Sequence, residues 1–344
     1  MAIQPFALSL SPSLTFSSSP LITGLCIAGA ILIISGILMW PLSYFVASWC
    51  VFNSTLRKKA PDTWGRAPSS LDPDHLKMDE IGLEWQREYN KYKTDVHIVN
   101  EGFNLYGEYY DIGSDRCMIF LSGRTESLRY GYYFARPYTD CGYNVLLIDP
   151  RAHGLSDGEF NTVGFDESRD DIAWARFIHD TYGINSIVFH GICIGAAGGM
   201  LALTSDNCPD YIDGIVTEGM FTNFGESMKN HLIEKKKPVF IFYDCINMWF
   251  KHFTGHSMSY GPIDVIGKLK KPLLIMNSKE DIYSLPENAK LLYDTAGSEK
   301  KRLVYFEHGA HSMLRFTDTE KYDRSIAEFT AELYANEPAD ITIK

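Results

Sequence analysis

The sequence predicts an α/β domain: a mostly parallel sheet of about eight strands with helices on both faces, a helical cap, and an N-terminal transmembrane helix. Three observations carry this. From Met118 onward, short apolar runs alternate with longer amphipathic ones, and such alternation of strand and helix builds a parallel sheet. After the strand expected at residues 212–217 no further sheet strand arrives until Pro272, a gap too long for a simple crossover, so residues 220–266 are expected to form a cap. And residues 5–54 contain no charged side chain.

In chain order, residues 21–40 are almost wholly apolar and the run continues through Pro41 toward Phe52. Some twenty helical residues at about 1.5 Å each cover the roughly 30 Å hydrocarbon core of a bilayer. A cleaved signal peptide competes with this reading. The lack of Lys or Arg before the run, the run's length, and Trp49 ahead of Cys50 weigh against it. Arg57, Lys58 and Lys59 follow immediately, and the positive-inside rule then places the catalytic side in the cytoplasm, on a single-pass anchor. Residues 1–56 thus read as tail and anchor, 57–93 as a linker, and 94–344 as the domain. The linker holds Pro61, Pro68 and Pro73, then a charged, helix-compatible stretch whose Trp85 and Tyr89 lie one turn apart. Those two rings are expected to pack on the domain or sit at the membrane interface.

The domain opens with two antiparallel strands joined at Glu101-Gly102. Strands follow at residues 118–121, 144–148, 187–190, 212–217, 272–277 and 303–306, with helices near 129–141 and 167–182. The cap stretch is rich in large apolar side chains, among them Phe240, Phe242, Ile246, Met248, Trp249, Phe250 and Phe253, preceded by Lys235-Lys236-Lys237. Most are expected to pack the cap onto the core. The alternative is an acyl-binding surface facing the bilayer, with the lysines near anionic headgroups.

Composition bounds the chemistry. The 344 residues carry a formal net charge of −11, which argues against nucleic acid as a partner and favours a small neutral substrate. The seven cysteines are irregularly spaced, with no CxxC pair and no disulfide framework, so they read as reduced thiols. No His and Cys cluster has zinc-ligand spacing, and neither metal nor cofactor is expected.

The stretch with most chemistry is residues 186–199, an apolar run leading into Gly191-x-Cys193-x-Gly195 and then small residues. It reads as strand, tight turn, helix. A nucleophile on a strained strand-to-helix turn needs neighbours without bulk, and the helix start directs free N–H groups at the same place, favouring a thiolate and a developing oxyanion. Further on, Glu280 and Asp281 follow one apolar strand and His308 and His311 follow the last. The order nucleophile, acid, histidine, each just after a strand, suits a parallel sheet that carries its reactive groups at the strands' C-terminal ends. Spacing alone leaves open which acid and which histidine, and Glu218 at the end of the sixth strand is a third acid.

These residues resemble the α/β-hydrolase family over roughly residues 94–335, and within it the chain is similar to Bem46-like membrane-anchored serine hydrolases. Leu121-Ser122-Gly123-Arg124-Thr125 stands where such proteins have His-Gly-x after the third strand, and Asp149-Pro150-Arg151-Ala152-His153-Gly154-Leu155-Ser156 is similar to their Asp-x-Arg-Gly-His-Gly-x-Ser. Two departures matter: Cys193 replaces the usual Ser, as in dienelactone hydrolases and polyhydroxyalkanoate synthases, and Ser122 replaces the usual His. The resemblance implies Cys193 as nucleophile, His311 as general base and Asp281 as its orienting acid. The backbone N–H groups of Ile194 and Arg124 would form the oxyanion hole. It favours His311 over His308 because Gly309-Ala310-His311 is similar to the family's Gly-x-His loop, and it favours Asp281 over Glu280. His153 and Asp149 are expected to hold the turn after the fourth strand. The implied activity is cleavage of an ester, thioester or lactone, with a lipid-like acyl group among the expected substrates. The alternatives are acyl transfer by the same Cys, or a non-catalytic, membrane-tethered binding protein.

Overall fold

The structure, a computed structural model, describes residues 19–59 and 71–334. It divides into two compact units, one ending at Ala47 and one beginning at Ser48. The first consists of most of helix α1 (Pro20–Leu56), whose most apolar window has a mean hydropathy of 2.5 and no buried residues. Among the described residues it is the one helix long and apolar enough to cross a membrane.

The second unit is an eight-stranded sheet in the order β1-β2-β4-β3-β5-β6-β7-β8. β1 (Lys93–Asn100) and β2 (Phe103–Tyr110) form the expected hairpin, turning at Glu101 and Gly102, both with positive φ. β2 pairs antiparallel with β4 (Asn144–Ile148); every later pairing is parallel. The other strands are β3 (Arg116–Leu121), β5 (Ser186–Ile192), β6 (Ile212–Glu218), β7 (Leu273–Ser278) and β8 (Lys301–Phe306). Both faces are covered, as the near-continuous apolar strands require. Ile119, Leu121, Ile187, Phe189, Ile215 and Ile275 pack on one face with α4 (Glu167–Tyr182) and α5 (Ile194–Leu203). The alternate residues Met118, Phe120, Val188, Val216, Leu274 and Met276 pack on the other, against α3 (Leu128–Asp140) and the C-terminal helix.

Between β6 and β7 three helices form the cap: α6 (Phe224–Glu234), α7 (Phe242–Thr254) and the short α8 (Pro262–Val265). Then α9 (Pro286–Thr295) joins β7 to β8, and α10 (Leu314–Thr317) and α11 (Thr319–Leu333) are the last elements among the described residues.

Residues 60–70 of the expected linker lie outside the described residues. The rest of it holds a helix, α2 (Pro73–Tyr89), started by Asp72 accepting the Asp74 N–H and by Pro73 at the first helical position. Met78, Gly82 and Trp85 share one buried face against α3, and a Cβ on Gly82 would lie 2.9 Å from the Tyr133 nitrogen. Trp85 donates its indole N–H to Thr139 Oγ1 at 3.3 Å and packs 4.8 Å from the Tyr110 ring, so this stretch is part of the folded unit.

Candidate active site

Cys193 sits at the joint between β5 and α5 with φ 53° and ψ −112°, a conformation that L side chains seldom adopt. Its neighbours show why the turn needs glycine. A Cβ on Gly191 would lie 2.5 Å from Ala196 Cα, and one on Gly195 would lie 2.0 Å from the Leu121 carbonyl oxygen. The elbow therefore presses on the end of β3, bringing the Ser122-Gly123-Arg124 turn beside the sulfur. A Cβ on Gly123 would be 3.7 Å from that of Cys193. The Cys193 N–H itself donates to the Glu218 carbonyl at 2.9 Å, anchoring the elbow to β6.

The loops after β7 and β8 meet above it. His311 Nδ1 lies 2.7 Å from Asp281 Oδ2, and Asp281, almost fully buried, is held in turn by the N–H groups of Tyr283 and Ser284, each at 2.8 Å. Burial disfavours protonation of His311. The charges and hydrogen bonds of Cys193 and Asp281 outweigh it and hold the ring well above the usual histidine range. The ring thus favours its protonated form. The competing pair is elsewhere: His308 and Glu280 bond each other at 2.9 Å on the surface.

One residue at this place has no motif to mark it. Glu126 returns from the turn after β3, where Thr125 takes φ 83°, and its Oε2 accepts the Gly123 N–H at 3.0 Å. Burial pushes its carboxyl up to about 7, against the lowering effects of the Gly123 N–H, His311 and Arg124. A carboxyl group thus stands next to the N–H groups expected to receive an oxyanion. Among the described residues no group of three or more His, Cys, Asp or Glu side chains is placed to hold a metal ion.

A family model described as the alpha/beta hydrolase fold matches residues 117–244. The chain is 28% identical over 215 residues to the uncharacterized protein YqkD of Bacillus subtilis, covering 62% of this chain and 70% of that one. It is 27% identical over 203 residues to protein bem46 of Schizosaccharomyces pombe, covering 59% of this chain and 62% of that one. Among solved structures, the Pyrococcus furiosus esterase Pf2001 superposes with a TM-score of 0.61 at 24% identity, covering 72% of this chain and 93% of that one. The chain has the α/β-hydrolase fold and resembles Bem46-like proteins.

The third acid, Glu218, is engaged away from the histidine ring. It is fully buried, accepting the Leu314 N–H at 3.1 Å and the Tyr322 hydroxyl at 2.7 Å, and burial pushes it up to about 7. The Tyr322 oxygen is also 3.0 Å from Nε2 of His190, on β5 directly before the elbow. His190 is fully buried and its pKa falls to about 3, from burial and from Arg315. Asp149 accepts the N–H groups of Leu128 and Leu155, and His153 lies buried with Nδ1 3.0 Å from the Arg151 carbonyl oxygen, both inside the turn after β4.

Proposed function

We propose that this hydrolase cleaves an ester, thioester or lactone of an apolar acyl group through an acyl-enzyme on Cys193, while α1 anchors it in a membrane as a single pass with the catalytic side in the cytoplasm. The supporting observation is the His311–Asp281 contact of 2.7 Å combined with the raised pKa of His311 beside a cysteine on a positive-φ elbow. His311 holds the proton that Cys193 has released, and the thiolate attacks the carbonyl carbon while the backbone N–H groups of Ile194 and Arg124 receive the oxyanion. Collapse of the tetrahedral adduct expels the alcohol or thiol, which takes the proton from His311. Water, deprotonated by the same ring, then attacks the thioester carbonyl, and collapse expels the thiolate and frees the acid while His311 keeps the proton, which restores the starting pair. Asp281 keeps Nδ1 protonated throughout. The esterase named among the structural relatives is in keeping with this reading.

Full-length protein is to be assayed on nitrophenyl esters and acyl thioesters of graded chain length, with iodoacetamide labelling in parallel. Turnover with rapid alkylation of Cys193 near neutral pH is expected, with both lost together in Cys193→Ala. Full turnover by Cys193→Ala would reject the acyl-enzyme.

A further inference from the structure

Helix α7 carries two apolar faces where a surface helix normally carries one. Phe242, Ile246 and Phe250 are buried against the unit, and Asp244, Asn247, Lys251 and Thr254 form a polar stripe. The remaining side repeats at helical spacing as Ile241, Cys245, Met248 and His252, edged by Trp249 and Phe253. Met248 is 44% exposed, Ile241 43% and Phe253 41%, and Phe240 in the loop just before is 82% exposed. Single exposed apolar residues are ordinary; a stripe along a helix of about 20 Å marks an interaction surface.

What lies at each end of the stripe identifies the partner. At one end Trp249 and Phe253 pack on Trp49 and Phe52, with ring centroids 5.0 and 5.7 Å apart, and Trp249 donates its N–H to Ser48 at 3.2 Å. Ser48, Trp49 and Phe52 belong to the last part of α1, so the stripe begins where the chain passes into its long uncharged segment. At the other end stand Lys235, Lys236 and Lys237, all exposed, in a chain whose net charge is −11. A tryptophan at the junction, apolar side chains along the helix and lysines at the rim match the layers of a lipid interface.

We propose that the outer stripe of α7 and the loop at Phe240 rest in the acyl–headgroup boundary of an anionic bilayer, an inference that builds on the membrane reading of α1. The cap is then a second, reversible membrane contact. A site beneath it would receive acyl substrates from the lipid phase.

The test uses the full chain with photoreactive benzoylphenylalanine at position 240 or 248, reconstituted in phosphatidylcholine vesicles with or without phosphatidylserine. A control carries it at exposed Leu291 on α9. Lipid adducts are expected at 240 and 248, severalfold above 291, enhanced by phosphatidylserine and losing that enhancement when Lys235, Lys236 and Lys237 are all changed to Gln. Carbonate extraction of the same vesicles reports on the anchor separately. Resistance to carbonate with no lipid adduct at 240 or 248, or with adducts only to a second copy of the chain, would overturn the cap contact and leave the anchor standing. Lipid adducts on protein released by carbonate would support the cap contact and reject the anchor.

Discussion

His190 makes the folded unit acid-labile in a way that one substitution can isolate. Its ring is fully buried before the elbow, among Phe120, Tyr138 and Phe134 at centroid distances of 5.6, 5.5 and 5.7 Å, and its pKa lies at about 3. In the unfolded chain it is about 6.5. Between these values the unfolded state binds a proton that the folded state refuses, so stability is complete above about pH 6.5 and is lost as pH falls toward 3. At pH 5 the loss is about 2 kcal/mol, and at pH 3 roughly 4 kcal/mol. His153 and His231, pushed down to about 4 and about 3, act in the same sense. Glu126 and Glu218, raised to about 7, act oppositely, taking stability away as pH rises from about 4.5 to 7. The total slope is therefore uninformative and the difference from a variant is the readout. His190→Gln removes the titration while keeping an N–H donor for the Tyr322 oxygen. It should melt lower than wild type at pH 8 through lost ring packing, yet lose about 2 kcal/mol less on going to pH 5, a Tm difference of about 4 °C. Scanning calorimetry of both full-length proteins in detergent at the two pH values measures it. Equal losses would mean that His190 is not held neutral, and the argument would fail.

Four further outcomes are expected. His311→Ala should lower kcat/KM by about a thousandfold or more, with Asp281→Asn also severe, whereas His308→Ala should leave it near wild type; steady-state rates on one ester decide this. Cys193→Ser should be much slower on both an ester and its thioester, because a hydroxyl stays protonated where a thiol ionises, and a faster serine variant would refute a site suited to thiolate. Gly195→Ala places a methyl 2.0 Å from the Leu121 carbonyl, so it should abolish activity and lower Tm, as rate and melting curve will show. Glu126 is neutral below about pH 7 and negative above it, where its charge opposes the oxyanion, so kcat/KM should fall through that range in wild type and not in Glu126→Gln.

What could be read in advance was local. Gly191, Cys193 and Gly195 announce a tight turn because only small neighbours fit one, and the alternating apolar runs announce a parallel sheet because strand and helix differ in period. Spacing left open Glu280 or Asp281 and His308 or His311, and only the resemblance favoured Asp281 and His311, because neighbours in sequence share no rule for burial. Here one pair bonds at the surface and the other inside. Glu126 escaped notice because the backbone reversal at Thr125, not its spacing, returns its carboxyl to Gly123. The buried group of His190, Glu218 and Tyr322 escaped for another reason: its members are 104 and 132 positions apart, and nothing in a polar residue names a distant partner. Helix α2 was visible as a helix, but its Gly82 and Trp85 face became legible only against α3.

Glu218 touches both halves of the candidate machinery, its carbonyl holding the Cys193 N–H and its carboxyl holding the Leu314 N–H three residues beyond His311. One side chain and its own peptide group thus act as a jig for two loops that the chain makes far apart. Tolerances at the sulfur then depend on α11, since Tyr322 completes the clamp from outside the sheet. Wear at that remote helix, through substitution or fraying, would appear as misalignment at the elbow before any loss of the fold.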